Sequence, residues 1–168
     1  MKNRKSNNFI SPLHLACDQD KDTLRPVFSH VHFSNNNAYA TNGNMIIRQP
    51  LNYSSVINYE NLNGKMIHKD VFKDILKYDI VKATPEGLEC SNDKLSVFIK
   101  YSTLEASYQV PNFEEYLNNE NAYESVEKIG INPRWIDIAN KILVDEYGNN
   151  CDFIEFIRMQ FFQLVKCP

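Results

Sequence analysis

From residue 27 to 33 the chain alternates, with Val27, Ser29, Val31 and Phe33 on one side and Phe28, His30 and His32 on the other. That is the period-two signature of a strand. Arg25-Pro26 leads into it in an extended form, because the residue before a proline is pushed out of the helical basin. Ser34-Asn35-Asn36-Asn37 turns the chain, residues 38–41 form a second strand, and Asn42-Gly43 is a hairpin signal that predicts a third over 44–49. Residues 50–63 read as a polar excursion closed by Asn63-Gly64. The period then lengthens: Ile67, Val71, Phe72, Ile75 and Leu76 recur at helical spacing and predict a helix over 69–78. Strands are expected at 79–84, 86–91, 94–100 and 103–109, separated by Pro85-Glu86-Gly87 and Ser91-Asn92-Asp93 and stopped by Pro111. Asn132-Pro133 supplies a side-chain cap and a first-turn proline for a second helix. Its stripe would be Trp135, Ile136, Ala139, Ile142 and Leu143.

Two segments fit either period. Residues 9–18 alternate through Leu13, Leu15 and Cys17, yet Ser11-Pro12 suits a short helix. The tail over 152–166 is read as strands because Phe, Ile and Val dominate it. Around these elements, residues 1–8 form a basic, polar arm, and 9–117 one unit. The acidic, Asn-rich stretch over 114–127 lacks periodicity, so a linker is expected at 118–128. The remainder, 129–168, is a helix plus strands that either packs on the first part or begins a second, incomplete unit. Runs of antiparallel hairpins with one helix per group make the fold class α+β, antiparallel sheets with helices packed on one face.

Composition narrows the classes. With 43% apolar and 23% charged residues over 168 positions, the chain is an ordinary globular one rather than disordered or coiled. Its richest apolar stretch, 153–165, is broken by Glu155, Arg158, Gln160 and Gln163, and polar Ser6-Asn7-Asn8 follows the basic amino terminus. Neither a membrane span nor a signal peptide is expected, which points to the cytoplasm and away from a membrane partner. Cys17, Cys90, Cys151 and Cys167 lie far apart and read as reduced, buried thiols. The net charge of −3 excludes a protein that coats nucleic acid with its whole surface and leaves room for a local basic strip. The 21 asparagines against five glycines suggest that Asn takes over left-handed turn positions.

Lys65, Lys69, Lys73 and Lys77 recur every four residues, so the last three should line one flank of the first helix. Arg134 and Lys141 lie seven apart on the second helix. Such a ridge would follow phosphates without reading bases. The plainer alternative is a solubilising surface, and Asp70 and Asp74 on a neighbouring flank would dilute the field. His30 and His32 project from one strand face, with His14 a candidate neighbour, but zinc needs a third and fourth ligand that no spacing supplies. Half-buried histidines on a sheet face are therefore the stronger reading. Cys17 or Cys90 as nucleophile lacks a nameable base, and Trp135 is expected to anchor the second helix in the core. No phosphate-binding glycine loop occurs, and no cofactor or resident metal is expected.

Ordered landmarks across residues 13–117 resemble one family. Arg25-Pro26-Val27-Phe28 is similar to an RP-[VI]-L motif, and Ala40-Thr41-Asn42-Gly43-Asn44-Met45-Ile46 to an ATDGxRL hairpin. Residues 64–76, then short strands ending in Val110-Pro111-Asn112-Phe113, are similar to a helix and a closing YP[DN][FY] signature. Together they resemble the domain repeated in the DNA sliding clamps, as in the bacterial DNA polymerase III beta subunit. Asn42, Met45 and Val110 depart from the family's Asp, Arg and Tyr, and its first helix has little room before Arg25. The resemblance implies a clamp-like domain in a non-enzymatic processivity or tethering factor for DNA replication. It implies sequence-independent contact with double-stranded DNA through Lys65, Lys69, Lys73, Lys77, Arg134 and Lys141, a DNA polymerase or other replication protein as partner, and homo-oligomers built through strand edges. A protein-interaction module of the same fold that never encircles DNA is the alternative, and a metal-dependent hydrolase using His30 and His32 an outside one.

Overall fold

The computed structural model describes residues 11–20, 24–117 and 132–142. The arm over 1–8, the linker over 118–128, the tail over 152–168 and Leu143 lie outside the described residues. Among the described residues seven strands form two antiparallel sheets: β1 (His30–Ser34), β2 (Asn37–Thr41), β3 (Ile46–Pro50) and β4 (Met66–His68) in the order β3-β2-β1-β4, and β5 (Ile80–Ala83), β6 (Gly87–Ser91) and β7 (Ser96–Lys100) in sequence order. The same residues include three α-helices, α1 (Lys69–Ile75), α2 (Phe113–Leu117) and α3 (Pro133–Ile142). The class is α+β.

Local chemistry explains most of these elements. Asn35 and Asn36 both sit at left-handed φ, 49° and 59°, between the paired residues Ser34 and Asn37. That is the primed two-residue turn whose twist matches the strands it joins. In the next hairpin the Asn42 carboxamide oxygen accepts from the backbone of Asn44 and Met45, and Gly43 takes a φ of 86°. The Asn132 carboxamide oxygen accepts from Arg134 N at 3.0 Å and starts α3.

Several expectations are corrected. Proline at position 26 opens a 3-10 turn, Pro26–Ser29, so the strand begins only at His30. Residues 13–15 likewise form a 3-10 turn after Pro12, which decides that segment for the helical reading. Ile67 is not helical but lies in β4, paired with Val31, and α1 closes at Ile75 rather than near 78. Residues 103–109 form no strand: the chain leaves the second sheet after Lys100, and beyond it the Ser102 amide donates to Met66 O. Phe113–Leu117 is a helix where a featureless stretch was expected. In α3 the buried stripe is Ala139 and Ile142, flanked by Ile138, whereas Ile136 is exposed and Trp135 only half-buried. Trp135 is thus no core anchor.

One apolar core is shared by both sheets and the helical pieces. Val31, Phe33, Ala38, Ala40 and Ile47 belong to the same buried cluster as Val81, Ala83, Leu88 and Cys90, together with Phe72 and Ile75 of α1, Ile142 of α3 and Leu13 of the Leu13–Leu15 turn. The order reads as two similar halves, the Leu13–Leu15 turn followed by the meander β1–β2–β3, and α1 followed by the meander β5–β6–β7. The Leu13–Leu15 turn touches both α1 and α3. α2 lies elsewhere. Its Phe113 stacks on Tyr39, which alternation places opposite the core-facing Ala38 and Ala40, so not all helices share one face. Among the described residues no helix is long and apolar enough to cross a membrane.

At Gly87 the β6 backbone meets β7 so closely that a Cβ would stand 2.4 Å from Ile99 O and 2.8 Å from the Phe98 ring. Gly87→Ala is expected to cost about 1–3 kcal/mol, read as a lower urea midpoint with an unchanged slope.

Candidate functional site

The lysines are not one ridge. Lys69, Phe72 and Leu76 share a helical stripe, and this carries the Lys69 stem inward until the residue is 8% exposed and its ammonium donates to Asp18 O. Lys65 precedes β4 and lies with its ammonium 5.4 Å over the Tyr101 ring, away from the helix. Lys73 is exposed on α1. Lys77 lies just beyond the helix end and pairs with the Asp74 carboxylate, whose own pKa the ammonium lowers. On α3, Arg134 is exposed and Lys141 pairs with Asp137 at 2.6 Å. The helical layer therefore presents Lys73, Lys77, Arg134 and Lys141, with two of the four neutralised locally. The burial of Lys69 had a sequence signal, its position three before Phe72.

On the outer face of the first sheet the histidines do structural work. His30 Nδ1 donates to Pro26 O at 2.8 Å and His32 Nε2 donates to Val27 O at 2.7 Å, so the 3-10 turn is tied to the strand after it. Burial lowers the pKa of both rings, that of His32 to about 4, and they are neutral at pH 7. Their third neighbour is His68, edge-on to His30 at 5.1 Å, whose Nδ1 accepts from Asp70 N. His14 instead lies against Phe72 beside the core. Among the described residues no three or more His, Cys, Asp or Glu side chains are placed to hold a metal ion. Cys17 and Cys90 are free and buried, with burial pushing their thiols up to about 12 and about 11. At those values neither is a thiolate at neutral pH.

A third cluster was not anticipated. His32, Tyr39 and Arg48 are cross-strand neighbours on β1, β2 and β3 and form a row across the sheet. Phe113 packs over the first two, 5.3 Å from His32 and stacked at 5.0 Å on Tyr39. Glu114 accepts from the Tyr39 hydroxyl and lies 3.5 Å from Arg48. Burial, then Glu114, raises the Tyr39 pKa. Beside Phe113 a cleft of about 200 Å³ opens toward Ser34, Lys65 and Met66. The signals were Tyr39 between two alanines, and Phe113 as the buried anchor of a short acidic helix.

Comparison of the chain with protein-family models, with curated proteins and with solved structures returns no match.

Lys69→Glu should destabilise the protein by about 3 kcal/mol, since it turns a carboxylate toward the Asp18 carbonyl in a buried site. Lys73→Glu with Lys77→Glu should leave the unfolding midpoint nearly unchanged, as thermal melts would show. The histidines set an acid limit. A ring that titrates near 6.5 unfolded and about 4 folded binds its proton mainly in the unfolded state between those values. Stability is then full above pH 6.5, falls as pH drops toward 4, and His32 accounts for about 3 kcal/mol of the loss at most. His32→Gln, which keeps a donor for Val27 O, should flatten the urea midpoint across that window.

Proposed function

We propose that this chain is a non-enzymatic, clamp-like protein associated with duplex DNA, acting as a processivity or tethering factor. The observation that carries the reading is the paired half-unit: a helical turn or helix followed by a three-stranded meander, twice, with both helical pieces in contact and β4 joining the first sheet. That arrangement agrees with the clamp-type landmarks at Arg25-Pro26, Ala40–Ile46 and Val110–Phe113.

The mechanism would be electrostatic and weak per subunit. Lys73, Lys77, Arg134 and Lys141 on the helical layer would meet phosphates without reading bases, which lets a duplex move past at nearly constant energy. Encirclement would need several copies. Among the described residues β7 is the last strand of the second sheet, with Leu95 and Phe98 exposed beside it, and an edge strand of this kind can accept a strand from another chain. A replication polymerase or a similar protein would then be held at the outer surface. The second reading, a clamp-fold module that binds proteins only, is favoured by the burial of Lys69 and the pairing of Lys77 and Lys141 with carboxylates.

One experiment separates the two. Mass in solution is measured with and without DNA, alongside retention on circular and linear duplexes over a salt series. The DNA reading expects assembly, longer retention on circles, a slope of log affinity against log salt near −0.9 per phosphate met, and loss of binding in the Lys73→Glu, Arg134→Glu double variant. A flat salt response with no retention leaves the protein-binding module.

A further inference from the structure

We propose that His30 and His68 form an acid-operated release at the joint between the first sheet and α1: when protons bind to the pair, the start of α1 parts from β1 while both meanders stay folded. The device stands whether or not the helical layer meets DNA.

His30 and His68 are directly opposite in the β1–β4 ladder, their rings edge-on at 5.1 Å, and His32 continues the row 6.3 Å from His30. Uncharged, the pair holds the joint together. His30 Nδ1 donates to Pro26 O, and His68 Nδ1 accepts from Asp70 N at 3.3 Å and so caps α1. A proton on His68 Nδ1 fills the lone pair that the cap uses, and Asp70 N loses its acceptor. A second charge on His30 then stands opposite the first, and like charges facing each other across a ladder repel.

The surroundings compensate little. The Asp70 carboxylate is 3.6 Å from His68 Nδ1 but exposed, so the pair is screened, and one carboxylate answers one ring at most. Of the other charged groups on the neighbouring elements, Lys65 lies over Tyr101, Lys69 is turned to Asp18 O, and Arg25 lies over Phe28. Glu114 bonds Tyr39 and lies 3.5 Å from Arg48. Burial lowers the His30 pKa from its usual 6.5, the bond to Pro26 O opposes this, and His68 adds to it. An open form in which the ring meets water therefore takes the proton more readily. The closed joint is fully favoured above pH 6.5 and loses ground as pH falls below it. His32, with its pKa near 4, is still neutral when this begins, so its lock on the turn holds.

The opening is local because the far end of β4 is fastened without histidine. Gly64 N donates to Phe33 O, Phe33 N to Lys65 O and Ser102 N to Met66 O. At the His68 end the further tie is one bond, from His68 N to the Ser102 hydroxyl at 2.9 Å.

Amide exchange is followed residue by residue by NMR from about pH 7.5 to about pH 5, each rate divided by that of an unstructured peptide at the same pH. Exchange at His68, Asp70 and Lys73 should speed by about fivefold or more, while Tyr39, Ala40 and Cys90 in the meanders stay protected. His30→Asn with His68→Asn keeps a donor for Pro26 O and an acceptor for Asp70 N but cannot titrate, and should abolish the acceleration. Should that double variant fail to fold, His68→Asn alone keeps the cap and should remove most of it. No acceleration in the unaltered chain, acceleration that survives the substitutions, or equal loosening of both meanders overturns the proposal.

Discussion

The short ladder between β1 and β4 is the constraint on which the rest of the architecture depends. Val31 opposite Ile67 places the first sheet's last strand directly before α1, and both side chains are buried in the shared core. With only one residue separating Ile67 from the start of α1, the helix has no freedom to swing, and Phe72 and Ile75 arrive over the same apolar layer. The second meander joins that layer through Val81, Ala83, Leu88 and Cys90. Neither sheet alone could bury its inner face, since three or four short strands need a second layer to be stable.

That constraint also decides the fate of charge on α1. A helix held so close to the core turns Lys69 inward, and the chain tolerates it by giving the ammonium the Asp18 carbonyl. A buried cation with a partner is a structural element and cannot reach a phosphate. The cations that can are exposed and partly answered by Asp74 and Asp137 at one-turn spacing. Such pairs are screened and individually weak, so they can exchange a carboxylate for a passing phosphate at small expense. On the proposed DNA-bound reading, weak and replaceable contacts would suit sliding better than gripping.

What could be read in advance follows the range of the signal. The asparagine turn at 35–36, the Asn42-Gly43 hairpin and the Asn132-Pro133 helix start are each decided within four residues, and each is legible as local chemistry. β4 was not legible, because three residues show no period and Ile67 fits either element. The stretch over 103–109 resembled a strand by composition but found no partner edge, which only the tertiary arrangement could reveal. The burial of Lys69 could be read from its place on the Phe72 stripe, but the regular four-residue spacing of the lysines suggested a different face. The row at Tyr39 was hidden for a related reason: its three members come from three strands, and register is not written in any one of them.

The outer face of the first sheet shows how a polar surface can be closed without an apolar core. His30, His32 and Tyr39 would be unfavourable under cover if their polar atoms were unmatched. Each instead has a named partner: Pro26 O, Val27 O and Glu114. The first two come from the turn immediately before β1, so they are present whenever the strand is. The third comes from 75 residues away, on α2. Two of the three locks are therefore local and one is remote. The same face is closed by the preceding turn at the β1 end and by α2 across β2 and β3.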